Sequence, residues 1–229
     1  MATLRVQTSF NQGFGTELTN ILLTGVVAGD LLTLCLRERD GSAEPTVSDN
    51  VNGSWGASDI TDADPSGNGG VSIFSFVNAA GGDTTISVVY GVNRVFQGNA
   101  AAWTPAGGTT FSVDQTGSNS PATTMNHAAA SITAGAGVII AAAAHSANSG
   151  GETIGDGFTA LTMVAGEREY HRYKLTSGET VDADYTTVNT ISSNQIITSY
   201  LETSAGGVVG PLLAGHLTGR GILGGRLVH

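Results

Sequence analysis

The chain has 229 residues, 33 of them Gly, with only 12% charged residues and a formal net charge of −10. That length suits one large domain or two small ones and is enough to bury a core. Nine basic residues against 19 acidic ones disfavour tracking a phosphate backbone or lying on an anionic membrane, since both need clustered Lys and Arg.

The opening MATLRVQTSF has no apolar stretch of the kind a secretory signal needs, and no run approaches a membrane span. Synthesis in the cytoplasm is therefore expected. Residues 26–36, VVAGDLLTLCL, read as an apolar strand entered through Ala-Gly. Cys35 within it is the sole cysteine, which excludes an intrachain disulfide and predicts a buried thiol. Residues 49–70, DNVNGSWGASDITDADPSGNGG, form the longest loop-like stretch and are expected at one end of the fold, with Trp55 packed at a strand end. Asp62, Asp64 and Ser66 match the first half of a calcium loop, but its twelfth position is Ile73 rather than Glu, so no metal is expected there.

Residues 73–90, IFSFVNAAGGDTTISVVY, predict an aromatic strand, a hairpin turn at Gly81-Gly82-Asp83 and an alternating strand ending on Tyr90. A further strand follows near Gln97–Trp103. Residues 107–127 are polar and turn-rich and are expected to be a crossover. The pattern then recurs. ITAGAGVIIAA at 132–142 repeats Ala-Gly before an apolar run, and GVIIAAAA at 137–144 fits a buried strand better than a helix. IGDGF at 154–158 parallels DNVNGSW, EYHRYKLTSGETVDADY at 169–185 parallels 73–90 with a hairpin turn at Ser177-Gly178, and Gln195–Leu201 closes the second set.

Each half supplies four or five strands, too few for a free-standing sandwich. The expectation is an all-β, jelly-roll-like antiparallel β-sandwich over 1–204. It would be built from two related halves, 1–106 and 128–204, joined by the crossover 107–127; two tandem domains are the alternative.

Catalytic chemistry finds little footing. The five histidines, His127, His145, His171, His216 and His229, stand at no metal-ligand spacing. His171 reads as a surface or interface residue, and Glu167 with Glu169 as a wet pair of carboxylates on one strand face. Neither nucleophile elbow nor nucleotide loop occurs, so no enzyme activity and no cofactor are expected. Trp55, Trp103, Tyr90, Tyr185 and Phe158 read as core aromatics, with sugar stacking as the lesser alternative.

The composition breaks after Glu202. Residues 206–229, GGVVGPLLAGHLTGRGILGGRLVH, hold eight Gly and no acid, and carry a charge of +2 from Arg220 and Arg226, against −12 (seven bases, 19 acids) for the rest. Gly at this density opposes helix and strand interiors, yet a solvated linker would not retain so many Leu, Ile and Val. Residues 205–229 are therefore expected to be an extended assembly arm, with Leu212, Leu213, His216, Leu217, Arg220, Ile222, Leu223, Arg226 and Leu227 as its contacts.

AGDLLTL, PTVSDNVNGSW, FVNAAGGDTTISVVY and GVIIAAA together resemble β-sandwich proteins of tailed-bacteriophage structural gene clusters, and LTGRGILGGRLVH is similar to the Gly-Leu-Arg C-termini of small phage virion proteins. The resemblance implies a virion protein made in the host cytoplasm, most simply a capsid decoration or head-associated protein. Its partners would be capsid, portal or tail subunits and copies of itself, with no nucleic acid and no membrane. A receptor- or host-glycan-binding module of a tail or fibre is the alternative.

Overall fold

The computed structural model describes residues 1–39, 44–62, 69–129, 131–163 and 168–204. Thirteen strands run through them: β1 (Thr3–Val26), β2 (Leu31–Glu38), β3 (Thr46–Asp49), β4 (Gly53–Gly56), β5 (Ile60–Asp62), β6 (Gly70–Phe76), β7 (Gly82–Thr104), β8 (Thr109–His127), β9 (Ile132–His145), β10 (Glu152–Ile154), β11 (Thr159–Ala160), β12 (Glu169–Val181) and β13 (Tyr185–Ser204). They form two antiparallel sheets. The first has the order β4-β3-β7-β2-β6-β5, with β1 also on β7; the second has the order β10-β13-β9-β12-β11, with β8 also on β13.

The two sheets share one wiring plan. In the first, the C-terminal half of β7 lies between β1 (Thr3↔Thr104) and β2 (Leu31↔Trp103), and its N-terminal half between β1 (Leu18↔Val88) and β3 (Val47↔Val88). In the second, the C-terminal half of β13 lies between β8 (Ser204↔Thr109) and β9 (Leu201↔Gly137), and its N-terminal half between β8 (Tyr185↔His127) and β10 (Ile154↔Tyr185). β2 then pairs with β6 as β9 pairs with β12. The two sheets thus share one strand order apart from β4, which has no counterpart among the described residues of the second.

The three largest buried clusters among the described residues explain the residue pattern. Leu32, Leu34, Leu36, Phe74, Ile86, Val88 and Phe96 pack inside the curl of the first sheet. Ile139, Ala141, Phe158 and Ile197 line the outer side of the second. Between the sheets lie Leu31, Cys35, Ile73 and Trp103 from one side and Phe111, Val138, Ile140, Ile196 and Tyr200 from the other. This shared layer makes the halves one sandwich. It also explains why β2 and the 137–145 part of β9 are buried on both faces and show no alternation. In β7, which borders one core along 84–90, the alternation is clean: Ile86, Val88 and Tyr90 are buried and the residues between them half-buried. Tertiary burial overrides the helix propensity of Ala141–Ala144, which are strand and fully buried.

Buried polar groups tie the layers together. Trp103 Nε1 donates to Thr33 Oγ1 at 2.9 Å. Asp30, fully buried, accepts from Val27 N at 2.9 Å and faces Arg5 Nε at 2.8 Å. The Glu202 carboxylate accepts from Ala2 N (3.0 Å), Ala106 N (2.5 Å) and Thr109 Oγ1 (3.3 Å), pinning the chain start and the inter-sheet connection to the last strand.

Four expectations need correction. Residues 107–127 are not a crossover: Thr109–His127 is β8, whose polar composition reflects exposure on a sheet edge. Gly81-Gly82-Asp83 closes no hairpin, because β2 lies between β6 and β7; Gly81 has φ 87°, and a Cβ there would stand 2.6 Å from Ala28 N. Ser177-Gly178 likewise lies within β12, and β9 separates β12 from β13. Nor do strands exchange between sheets as in a jelly roll: every strand of residues 3–104 pairs within the first sheet and every strand of 109–204 within the second. The arm, 205–229, lies outside the described residues.

Candidate functional site

Two constellations stand out. The first is a cleft of about 430 Å³ where one edge of the first sheet meets β8, lined by Trp55, Asp59, Ser75, Phe76, Val77, Phe111, Ser112 and Val113. Its size is within the range of side-chain and small-ligand sites. Trp55 packs on Phe76 with ring centroids 6.3 Å apart. Its Nε1 donates to Asp49 Oδ2 at 2.6 Å, and Asp49 Oδ1 accepts from Val51 N and Asn52 N, so the turn after β3 orients the indole. At the cleft floor Tyr200 OH donates to Asp59 Oδ2 at 2.6 Å, a bond between the two sheets. Burial raises the Asp59 carboxyl above its ordinary value, against the lowering effect of the Tyr200 and Ser75 hydroxyls.

The cleft walls have open strand edges. β5 covers β6 only from Val71 to Ile73, so Ser75 and Phe76 have a ladder partner on the β2 side alone among the described residues. Phe111–Val113 of β8 pair only with β13 among the described residues. A mainly apolar cleft between two edges that are incompletely paired among the described residues is a shape that accepts an extended peptide.

The second constellation lies inside the second half. Tyr185 OH donates to or accepts from Ser193 Oγ at 2.8 Å and His145 Nε2 at 2.9 Å, while the His127 ring stacks on Tyr185 at 4.8 Å. His127 comes from the end of β8 and His145 from the end of β9, which is why their spacing in sequence hides the pairing. Arg172 is fully buried and reaches the Ala183 carbonyl and Gln195 Oε1. Its guanidinium lies 4.5 Å from the Tyr185 ring centroid, 5.4 Å from Tyr170 and 5.8 Å from Phe158. Ala183 itself lies in the left-handed region, with φ 52°. Burial lowers the His145 pKa to about 3, helped by His127, Arg172 and Arg37, and it likewise lowers His171 to about 3. Asp156, Asp182 and Asp184 bring carboxylate oxygens within 4.8 Å of one another, a grouping that could hold a cation. Asp182 is raised by its hydrogen bond to Asp156 and then by burial.

Against expectation, His171 is fully buried and Glu169 is buried too, with His171 Nε2 3.6 Å from Glu169 Oε2. Both pair with the buried 137–145 part of β9, at Ala144 and Ala142, so the start of β12 has no wet face; its exposed residues lie further along, at Ser177–Thr180. Trp55, Trp103, Tyr90, Tyr185 and Phe158 are all buried, as the core reading required. Glu167, Asp64 and Ser66 lie outside the described residues, as do the arm contacts Leu212, Leu213, His216, Leu217, Arg220, Ile222, Leu223, Arg226 and Leu227. No helix among the described residues is long and apolar enough to cross a membrane.

No family model matches the chain, and no curated protein and no solved structure matches it either.

Proposed function

We propose that the protein is a non-enzymatic structural component of a tailed-phage virion, a capsid decoration or head-associated protein made in the host cytoplasm and anchored by residues 205–229. The observation that carries this reading is the pair of long sheet edges. β1, of 24 residues, has β7 as its sole ladder partner among the described residues, and β8, of 19, has only β13. Free edges are normally blunted by Lys, Pro or brevity. β1 has neither Lys nor Pro, and Phe14 and Leu22 on it are 73% and 47% exposed. β8 carries Pro121, which removes one donor from that edge, while Val113 and Met125 on it are 44% exposed. Edges of this kind support pairing with subunits or further copies. The excess of Leu, Ile and Val in the arm supports insertion between neighbours, and Arg220 and Arg226 match acidic surfaces.

The alternative, a receptor- or glycan-binding module, needs an exposed aromatic platform. Trp55 is only 7% exposed and its N–H is bonded to Asp49, which favours the assembly reading. Mass spectrometry of purified particles of the encoding phage tests the proposal: the chain should be a stoichiometric component, and its absence from particles would overturn it.

A further inference from the structure

We infer that the inter-sheet cleft is the seat of the chain's own C-terminal arm, which docks there as an added strand through residues 211–217, PLLAGHL. Reach supports this. Ser204 pairs with Thr109, two residues before the cleft-lining Phe111. Residues 205–210 can span up to about 20 Å when extended. Passing round the start of β8 to its free edge requires about 10 Å, twice the spacing between strands. The arm therefore arrives at the open side of the cleft with chain to spare.

Chemistry supports it as well. The cleft presents Trp55, Phe76, Val77, Phe111 and Val113 beside Asp59, Ser75 and Ser112, and among the described residues Ser75, Phe76 and Phe111–Val113 have a ladder on one side alone. Leu213 and Leu217 stand four apart with Gly215 between them. In an extended chain these three share one face, so the two leucines can enter the cleft without a side chain obstructing the middle. Pro211 fits the first position of an edge strand, where its missing N–H costs no ladder bond. The arm carries +2 and the rest of the chain −12, so approach to the body is electrostatically favoured. The occupant rests on the arm reading above. Docking within one chain, however, is a property of the isolated protein and can fail while assembly stands, or hold while assembly fails.

Hydrogen exchange on the purified full chain tests it. The amides of Ser75–Val77 and Phe111–Val113 should exchange about tenfold or more slowly in the wild type than in Leu213→Asp/Leu217→Asp. The difference should be independent of protein concentration. Ser112→Trp, which fills the mouth from an exposed position, should speed exchange at Ser75–Val77 in the same way. Equal rates in wild type and arm variant would overturn the proposal. Protection that grows with concentration would also overturn it, by assigning the cleft to the arm of a second copy.

Discussion

Acid should unfold this protein through its buried imidazoles, and His145 offers the sharpest test. Its ring is fully buried at the end of β9, with Nε2 bonded to Tyr185 OH and Nδ1 3.9 Å from Glu152 Oε1. His127 faces it from β8, Arg172 from β12 and Arg37 from β2, and all three disfavour a second positive charge. Burial, the largest cause, and these cations outweigh the single carboxylate and hold the pKa at about 3. An unfolded chain titrates near 6.5. The folded value is depressed for a base, so the unfolded state binds the extra proton and stability falls as pH drops below 6.5. At pH 5.0 the loss is about 2 kcal/mol for one such imidazole, and almost nothing at pH 7.5. The figure depends on the unfolded value alone as long as the folded one stays well below 5. His171, also held at about 3, doubles it to about 4 kcal/mol. The raised carboxyls of Asp59 and Asp182 act oppositely, gaining stability as pH falls through their folded values. The comparison must therefore be internal. Urea unfolding of wild type and His145→Gln, followed by Trp fluorescence from pH 7.5 to 5.0, should give a curve for the variant flatter by about 2 kcal/mol over that window. Parallel curves would show that His145 is not kept neutral in the fold and would refute the reasoning.

Trp103 is fully buried in the layer between the sheets, and Trp103→Ala should cost about 3–5 kcal/mol in urea or thermal unfolding; a loss under about 1 kcal/mol would mean the sheets do not pack through it. Glu202→Ala removes three accepted hydrogen bonds and should lower stability by about 1–3 kcal/mol, with faster exchange at Ala2 and Ala106 as the local signature. A chain ending at Ser204 should still unfold cooperatively but fail to enter particles, and loss of the cooperative transition would make the arm part of the fold. For Arg220 and Arg226, incorporation should fall in the order wild type, double Ala, double Glu, because like charge repels as well as failing to pair; equal incorporation of all three at low salt would remove any electrostatic role.

The alternation of Ile86, Val88 and Tyr90 and the β-branched run before Ala141–Ala144 identified strands, because side-chain periodicity is a local property that burial on one or both faces imposes directly. Ala-Gly recurs before β2 and within β9, and aromatic strands recur at β6 and β12; the sheets that contain them have the same strand order apart from β4. The break in composition after Glu202 needed no structure at all. Pairing was not legible. Gly81-Gly82 and Ser177-Gly178 carry hairpin chemistry, yet the neighbours of β7 and β13 are strands distant in the chain, since which edge a strand joins depends on long-range burial rather than on the turn that precedes it. The polar strand β8 was misread for the same reason: an edge strand needs few apolar residues when its partner β13 supplies the ladder. Only the tertiary structure could bring His127, His145, Tyr185 and Arg172 together, or set Asp59 against Tyr200 across 141 positions. Each of those side chains looks ordinary in its own strand, and its chemistry comes from neighbours on strands distant in sequence, set beside it by pairing within the second sheet for the histidines, Tyr185 and Arg172 and by the packing of the two halves for Asp59 and Tyr200.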